Sequence, residues 1–353
     1  MNKRIKSLCV SKSDSILTVL QAMDSSKRKL LIVTDGDLFA SLVSVGDIQR
    51  AIIRKCDLNL PISQILREQV KYANPGDNSE TIREHMRINR NEFMPVVSSE
   101  MKITNVIFWE DIMDENPLRK PIEEINLPVV IMAGGQGTRL KPLTNILPKP
   151  LIPLKNKTII EDIMDQFVLC GCHNFYLSVN YKADLIRYYF ESLANPDYTI
   201  KFFQESIPLG TVGSLYLIKD EIKTTFFVSN CDIILEQDFS EILRYHREYK
   251  NEITLVGAVK KYSIPYGTLT TGKDGLLSGL HEKPQLIFNI NTGFYVMEAS
   301  VLEAIPENRF YNITDLIEQR KSDGKRVGVF PISDGAWVDM GSWRDYMQHL
   351  PLG

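Results

Sequence analysis

Short apolar runs alternate with stretches of helical period from residue 127 of this 353-residue chain onward. PVVIMA (128–133), NFYLSV (174–179) and YTIKFF (198–203) read as strands. Between them, residues 158–170 and 182–193 read as helices. In the first, Ile159/Ile160, Ile163/Met164 and Phe167/Val168 recur at helical spacing. Thr158 with Glu161 makes a capping box at its start, and Gly171 stands where it would end. This alternation predicts a doubly wound α/β sheet, with ligands at the carboxyl ends of its strands.

The first ~120 residues carry a different pattern, repeated once. SDSILTVLQAM (13–23) matches GDNSETIREHM (76–86) at an offset of 63. KLLIV (29–33) matches FMPVV (93–97), and VGDIQRAI (45–52) matches WEDIMDEN (109–116), both at 64. Each unit reads as helix, strand, turn, strand and closing helix. The pattern resembles a tandem CBS-domain pair, an α+β module that often binds adenosyl nucleotides. In CBS pairs that bind nucleotide, a Ser or Thr three residues before an Asp contacts phosphate, and the Asp holds the ribose. Ser44 and Asp47 fit in the first repeat. Asp111 matches in the second, but Phe108 replaces the hydroxyl residue. Helix capping by the two Asp residues is the competing reading, because it uses the same helix-start geometry.

The expected division is a repeat pair over 1–118 (about 1–60 and 61–118), a proline-punctuated linker over 119–126, and a second domain over 127–353. The length itself calls for two cores. Composition is that of a soluble globular protein, 44% hydrophobic and 24% charged, with net charge -3. That balance argues against a nucleic-acid binder, which would show a basic face. No run of about eighteen apolar residues occurs, so no membrane helix is predicted and a cytoplasmic location is expected. The five cysteines include no CxxC pair and the five histidines are scattered. Neither a disulfide framework nor a zinc site is therefore expected.

The densest chemistry lies in VVIMAGGQGTRLKPLTNILPKPLIP, residues 129–153. Gly134, Gly135 and Gly137 follow a strand directly, where backbone N–H groups can close on phosphate oxygens. A dinucleotide fingerprint needs a third glycine where Leu140 stands, and the Walker spacing is absent. The segment instead resembles the signature of sugar-1-phosphate nucleotidyltransferases, AGGxGTRLxPLT then PKPLxP. It covers Ala133–Thr144 and Pro148–Pro153, and matching segments follow in order through 127–353. The fold this implies is a Rossmann-like, GT-A-like mixed sheet.

The resemblance also implies a set of site residues. Ala133, Gly134, Gly135, Gly137, Thr138, Arg139 and Lys149 would bind the triphosphate. Gln204, Pro208, Gly210 and Thr211 would lie by the nucleobase. Gly267, Glu282, Lys283 and Asn291 would bind the sugar phosphate. Asp232 and Asp339 would hold Mg2+, with Cys231 standing where glycine is usual. Arg139, Lys149, Asp232, Lys283 and Asp339 form the implied catalytic set. Taken singly, an Asp after a strand or a Glu-Lys-Pro is usually a turn. Their shared order gives them weight.

The implied reaction is attack of a sugar 1-phosphate on the α-phosphorus of a nucleoside triphosphate, releasing pyrophosphate. The nucleophile's second pKa is about 6, so it needs no general base. Two polyanions must meet, and catalysis is then positioning and charge neutralisation. A metal-dependent glycosyltransferase would want Asp-x-Asp, but Ile233 and Ile234 follow Asp232. A nucleotide sensor with a decayed catalytic half remains a rival. With the sequence ending soon after Trp343, no hexapeptide-repeat tail is expected. A CBS pair before a short transferase resembles guanylyltransferases that make GDP-glucosamine on the route to legionaminic acid. GTP and glucosamine 1-phosphate or a related hexose 1-phosphate are thus the expected substrates, with uridylyl or thymidylyl transfer as alternatives. An adenine nucleotide at the first half and assembly into a homo-oligomer are further expectations.

Overall fold

The computed structural model describes residues 3–89, 91–109 and 124–349. The chain divides into two compact units, residues 1–124 with 238–240, and residues 125–237 with 241–353. In the first unit, helix Ile16–Ser26, strands Leu30–Asp35 and Leu38–Ser44, and helix Val45–Ile53 follow one another. Helix Ser79–Asn89 and strands Phe93–Val97 and Ile103–Phe108 repeat the order. The closing helix expected from residue 109 onward, and Asp111 with it, falls outside the described residues. Val10 pairs with Val33 in parallel, and Ala73 pairs with Val96 in the same sense. The two strand pairs share one core, in which Ile32, Phe39 and Leu42 meet Phe93, Val97 and Phe108.

The second unit is built on a seven-stranded sheet, numbered here in chain order. Its strands are β1 (Val129–Met132), β2 (Asn174–Val179), β3 (Thr199–Gln204), β4 (Phe226–Asn230), β5 (Ile253–Ser263), β6 (Gln285–Met297) and β7 (Val327–Ser333). The spatial order is β3-β2-β1-β4-β6-β5-β7. Only β6 runs antiparallel to its neighbours. The sheet is mixed, as expected, and the chain reverses its winding between β1 and β4. Such a switch point opens a crevice at the carboxyl ends of the two strands.

Both faces of the sheet are covered. On one, Phe167 of helix Ile159–Leu169 stacks on Phe294 with centroids 5.6 Å apart and also meets Phe175 and Phe227. Deleting such a side chain costs about 3–5 kcal/mol. On the other face Val130, Val228 and Tyr295 pack with Leu215, Leu302 and Leu316. Thr158 and Glu161 make the expected capping box. The helix ends with Gly171 at φ 85°. The Gly171 and Cys172 amides bond back to Val168 and Phe167, a Schellman closure that favours glycine.

Among the described residues, one histidine is wholly interior. His246 is 1% exposed and joins Thr254 through Nδ1 at 2.8 Å and Glu298 through Nε2 at 2.9 Å. Asn251 also donates to Thr254 Oγ1, at 3.0 Å. This pattern suits a neutral ring that donates from Nε2 and accepts at Nδ1 from the Thr254 hydroxyl. Burial holds the His246 pKa below its usual 6.5, against the pull of Glu298. A proton is therefore bound more weakly by the folded state than by the unfolded one. The stability linked to His246 is complete above about 6.5 and is lost as pH falls through the lower folded value. Melting temperatures measured from pH 7.5 to 5 are expected to fall more steeply for the wild type than for His246→Gln. Parallel curves would contradict a neutral buried imidazole.

Candidate functional site

The loop after β1 is shaped by a glycine that admits no replacement. Gly137 has φ 62°, and a Cβ there would lie 2.9 Å from Thr144 Cγ2 and 3.0 Å from Lys149 Cβ. Thr144 Oγ1 donates back to the Gly137 carbonyl at 3.0 Å, and Tyr181 donates to the Thr144 carbonyl at 3.0 Å. Gly134 packs on Asn180, whereas a Cβ on Gly135 would meet nothing within 4 Å. Thr138 and Arg139 form a single 3-10 turn starting from Gly137. Pro148 and Pro150 flank Lys149 in a second such turn, which is buried. Ala133 is buried and donates to Ser178.

Two carboxylates reach this loop by strand pairing. Asp232 follows β4 and is 6% exposed. The short strand Ile233–Leu235 then pairs antiparallel with Trp337–Asp339, setting Ile233 opposite Asp339. The Met340 amide closes on the Asp232 carbonyl at 2.8 Å. Lys149 Nζ makes an ion pair with Asp232 Oδ2, and Arg139 lies 4.0 Å from Asp339. A Cβ on Gly341 would sit 2.5 Å from the Arg139 guanidinium, 2.6 Å from Asp339 Oδ1 and 2.8 Å from Asp232 Oδ2. Three charged groups therefore converge around one glycine, and Lys149 joins them through Asp232. Burial, and then the neighbouring Asp232 charge, push the Asp339 carboxyl above its usual value. Cys231 is buried with its thiol pushed up to about 12 by burial, so it stays protonated.

The remaining expected residues occupy other positions. Gln204 and Pro208 are exposed, with Arg187 3.4 Å from the Gln204 side-chain oxygen. Gly210 has φ 80° and no room for a side chain against the Tyr311 carbonyl, at 2.7 Å. Thr211 Oγ1 accepts from the Ile313 amide at 2.8 Å. Both residues are thus tied to the start of helix Ile313–Ser322. A Cβ on Gly267 would lie 3.0 Å from Glu282 Oε2, and Lys283 turns the chain at φ 44°. Asn291 donates to Tyr295 and accepts from the Gly293 amide. In the first unit, Ser44 and Asp47 form the capping box of helix Val45–Ile53. The Asp47 carboxylate also takes Arg50 and Arg67.

Three residues of this region received no role from the sequence. Gly341 stands inside the AWVDMGSW segment, but its function depends on groups more than a hundred residues away. Thr144 tethers the Gly137 turn. Glu205 holds the Asn180 side chain at 2.8 Å and the Leu209 amide at 3.0 Å, linking the ends of β2 and β3.

Residues 128–351 match the nucleotidyl transferase family, and the chain belongs to it. It is similar to the mannose-1-phosphate guanylyltransferase catalytic subunit beta of Drosophila pseudoobscura pseudoobscura, 32% identical over 229 residues. That match covers 63% of this chain and 61% of the relative. Mannose-1-phosphate guanyltransferase of Schizosaccharomyces pombe is 32% identical over 233 residues, covering 63% and 62%. The chain thus spans less than two thirds of either relative. Among solved structures, HddC from Yersinia pseudotuberculosis is 26% identical with a TM-score of 0.47, covering 63% of this chain and 97% of that one.

Gly341→Ala is expected to cut nucleotidyl transfer by about a hundredfold, because a methyl group there must displace Arg139 or a carboxylate. Gly341 is buried, so the variant's melting temperature is measured alongside, and the loss of activity should exceed any loss of folded protein. Activity within a few-fold of wild type would show that these groups need not converge.

Proposed function

We propose that the second unit transfers a guanylyl group from GTP to a hexose 1-phosphate, forming a GDP-sugar and pyrophosphate. The observation that carries this reading is the convergence of Arg139, Asp232 and Asp339 on Gly341, with Lys149 on Asp232. The guanine assignment is supported by the names of the relatives. Arg139 and the loop amides hold the departing β- and γ-phosphates, a task suited to a forked guanidinium. Lys149 neutralises charge at the α-phosphate. Lys283 and Glu282 receive the sugar phosphate, with Asn291 at the sugar hydroxyls. Gln204 faces the base, along the segment that carries Pro208, Gly210 and Thr211.

Mg2+ fits this arrangement. The Asp232 and Asp339 carboxylates both border Gly341, and the Asp339 carboxyl is raised by burial and then by the like charge of Asp232. Among the described residues no third His, Cys, Asp or Glu joins them. Two carboxylates completed by substrate phosphates are a common donor set for this ion. When bound, it supplies positive charge at the α-phosphate.

Asp232→Asn and Asp339→Asn are each expected to lower turnover by about a hundredfold or more while the protein stays folded. Near wild-type turnover at saturating Mg2+ would sink either assignment. Lys283→Ala should raise KM for the sugar phosphate more than for GTP, and Arg139→Ala should do the reverse or mainly lower kcat. Equal effects on both substrates would refute that division. Assays of GTP, UTP and dTTP against mannose, glucosamine and glucose 1-phosphates fix base and sugar; a preference for UTP or dTTP would overturn guanylyl transfer.

For the first unit we propose a CBS pair that takes an adenine nucleotide beside Ser44 and Asp47, supported by the repeated helix–strand–strand order. Ribose hydroxyls there would exchange with Arg50 and Arg67 on the Asp47 carboxylate. AMP, ADP or ATP at a hundred times its Kd should stabilise the fold by about 2.7 kcal/mol. A melting shift that is absent, or that survives Asp47→Ala, would refute the site.

A further inference from the structure

The amino-terminal edge of the sheet carries a second group of cations and rings. β5 and β7 begin side by side, with Ile253 opposite Val327, and Ile253 pairs across to Met297. Met297 in turn faces Phe226, the first residue of β4. This edge is therefore the opposite end of the strands from Met132 and Asp232. A cleft of about 500 Å3 opens here. Tyr245 and Tyr249 form one wall, with ring centroids 4.7 Å apart. Tyr249 is 36% exposed. Lys321, Lys325 and Arg326 also line the cleft, and no residue lining it is acidic.

The arrangement is held from behind. Tyr245 packs on Phe330 with centroids 5.6 Å apart. A Cβ on Gly328 would lie 2.2 Å from the Asn251 side-chain nitrogen and 3.0 Å from the Tyr245 hydroxyl, so glycine lets both side chains pack against the start of β7. Asn251 is fixed by Thr254. The nearby acids are already committed: Glu252 binds Arg320, Asp323 binds the same guanidinium, and Glu318 binds Lys321. Lys325 and Arg326 add two further positive charges beside the tyrosine pair.

We propose that this cleft is a second ligand site, for a nucleoside phosphate. The base lies against Tyr249, and the phosphates meet Lys321, Lys325 and Arg326. Aromatic rings accept any base by stacking, and clustered cations accept any phosphate chain, so the site selects a class of ligand. It shares no residue with the Asp232 site and does not depend on the reaction proposed there.

Calorimetric titration of GTP into the full chain tests the proposal, with tripolyphosphate as a probe that lacks a base. The wild type is expected to bind one GTP per chain more than the Tyr249→Ala/Lys325→Glu double variant. Tyr249→Ala alone should weaken GTP at this site by about tenfold or more and leave tripolyphosphate unchanged. Tyr249→Phe, which keeps the ring, should bind as wild type. Lys325→Glu should weaken both probes. Equal GTP stoichiometry in the wild type and the double variant would overturn the site. Tripolyphosphate binding as tight as GTP in the wild type would overturn the role given to the ring.

Discussion

The ion pair between Lys149 and Asp232 is the constraint on which the loop edge of the second unit depends. Both side chains are about nine-tenths removed from solvent. Breaking such a pair from one side typically costs about 3–5 kcal/mol, because the remaining charge is left unpaired. Here the cost has a further source, since Asp232 would then face Asp339 with less positive charge nearby. Gly137 has no side chain where Lys149 must pass, and Pro148 and Pro150 fix the turn that carries it. The glycines, prolines and lysine of one short segment are thus answers to a single problem of placement.

Topology supplies the partner. β1 and β4 lie side by side and parallel, so the loop after one opens beside the turn after the other. The Ile233–Leu235 and Trp337–Asp339 pairing then brings in a carboxylate from more than a hundred residues away. Under the proposed reaction this cluster has two tasks. It must hold two negative carboxylates close together, and it must meet two polyanionic substrates. Arg139 and Lys149 offset the first repulsion in the protein alone, and the same cations suit the second. A site built this way acts through fixed charge, and the cysteine beside it, Cys231, is kept protonated by burial.

The local features were legible in the sequence. The capping box at Thr158 and Glu161, the helix end at Gly171 and the glycine turn at Gly137 are each decided within a few residues. Strand–helix alternation also revealed the sheet. Gly341 was not legible, because its requirement arises only when β4 and the strand at Trp337–Asp339 come together. Gly210 and Thr211 show the opposite limit. Packing against Tyr311 and Ile313 is sufficient to require both, whatever lies beside them. The scattered histidines concealed the interior network, since His246 and Glu298 are 52 residues apart.

Phosphorus NMR of the full chain with GTP, Mg2+ and a hexose 1-phosphate tests the central claim most directly. Attack at the α-phosphorus predicts loss of the sugar 1-phosphate resonance, with equal gain of pyrophosphate and of two coupled resonances from a sugar-linked diphosphate. GDP and inorganic phosphate appearing beside an unchanged sugar 1-phosphate would contradict it, because the bond broken would then lie at the γ-phosphorus.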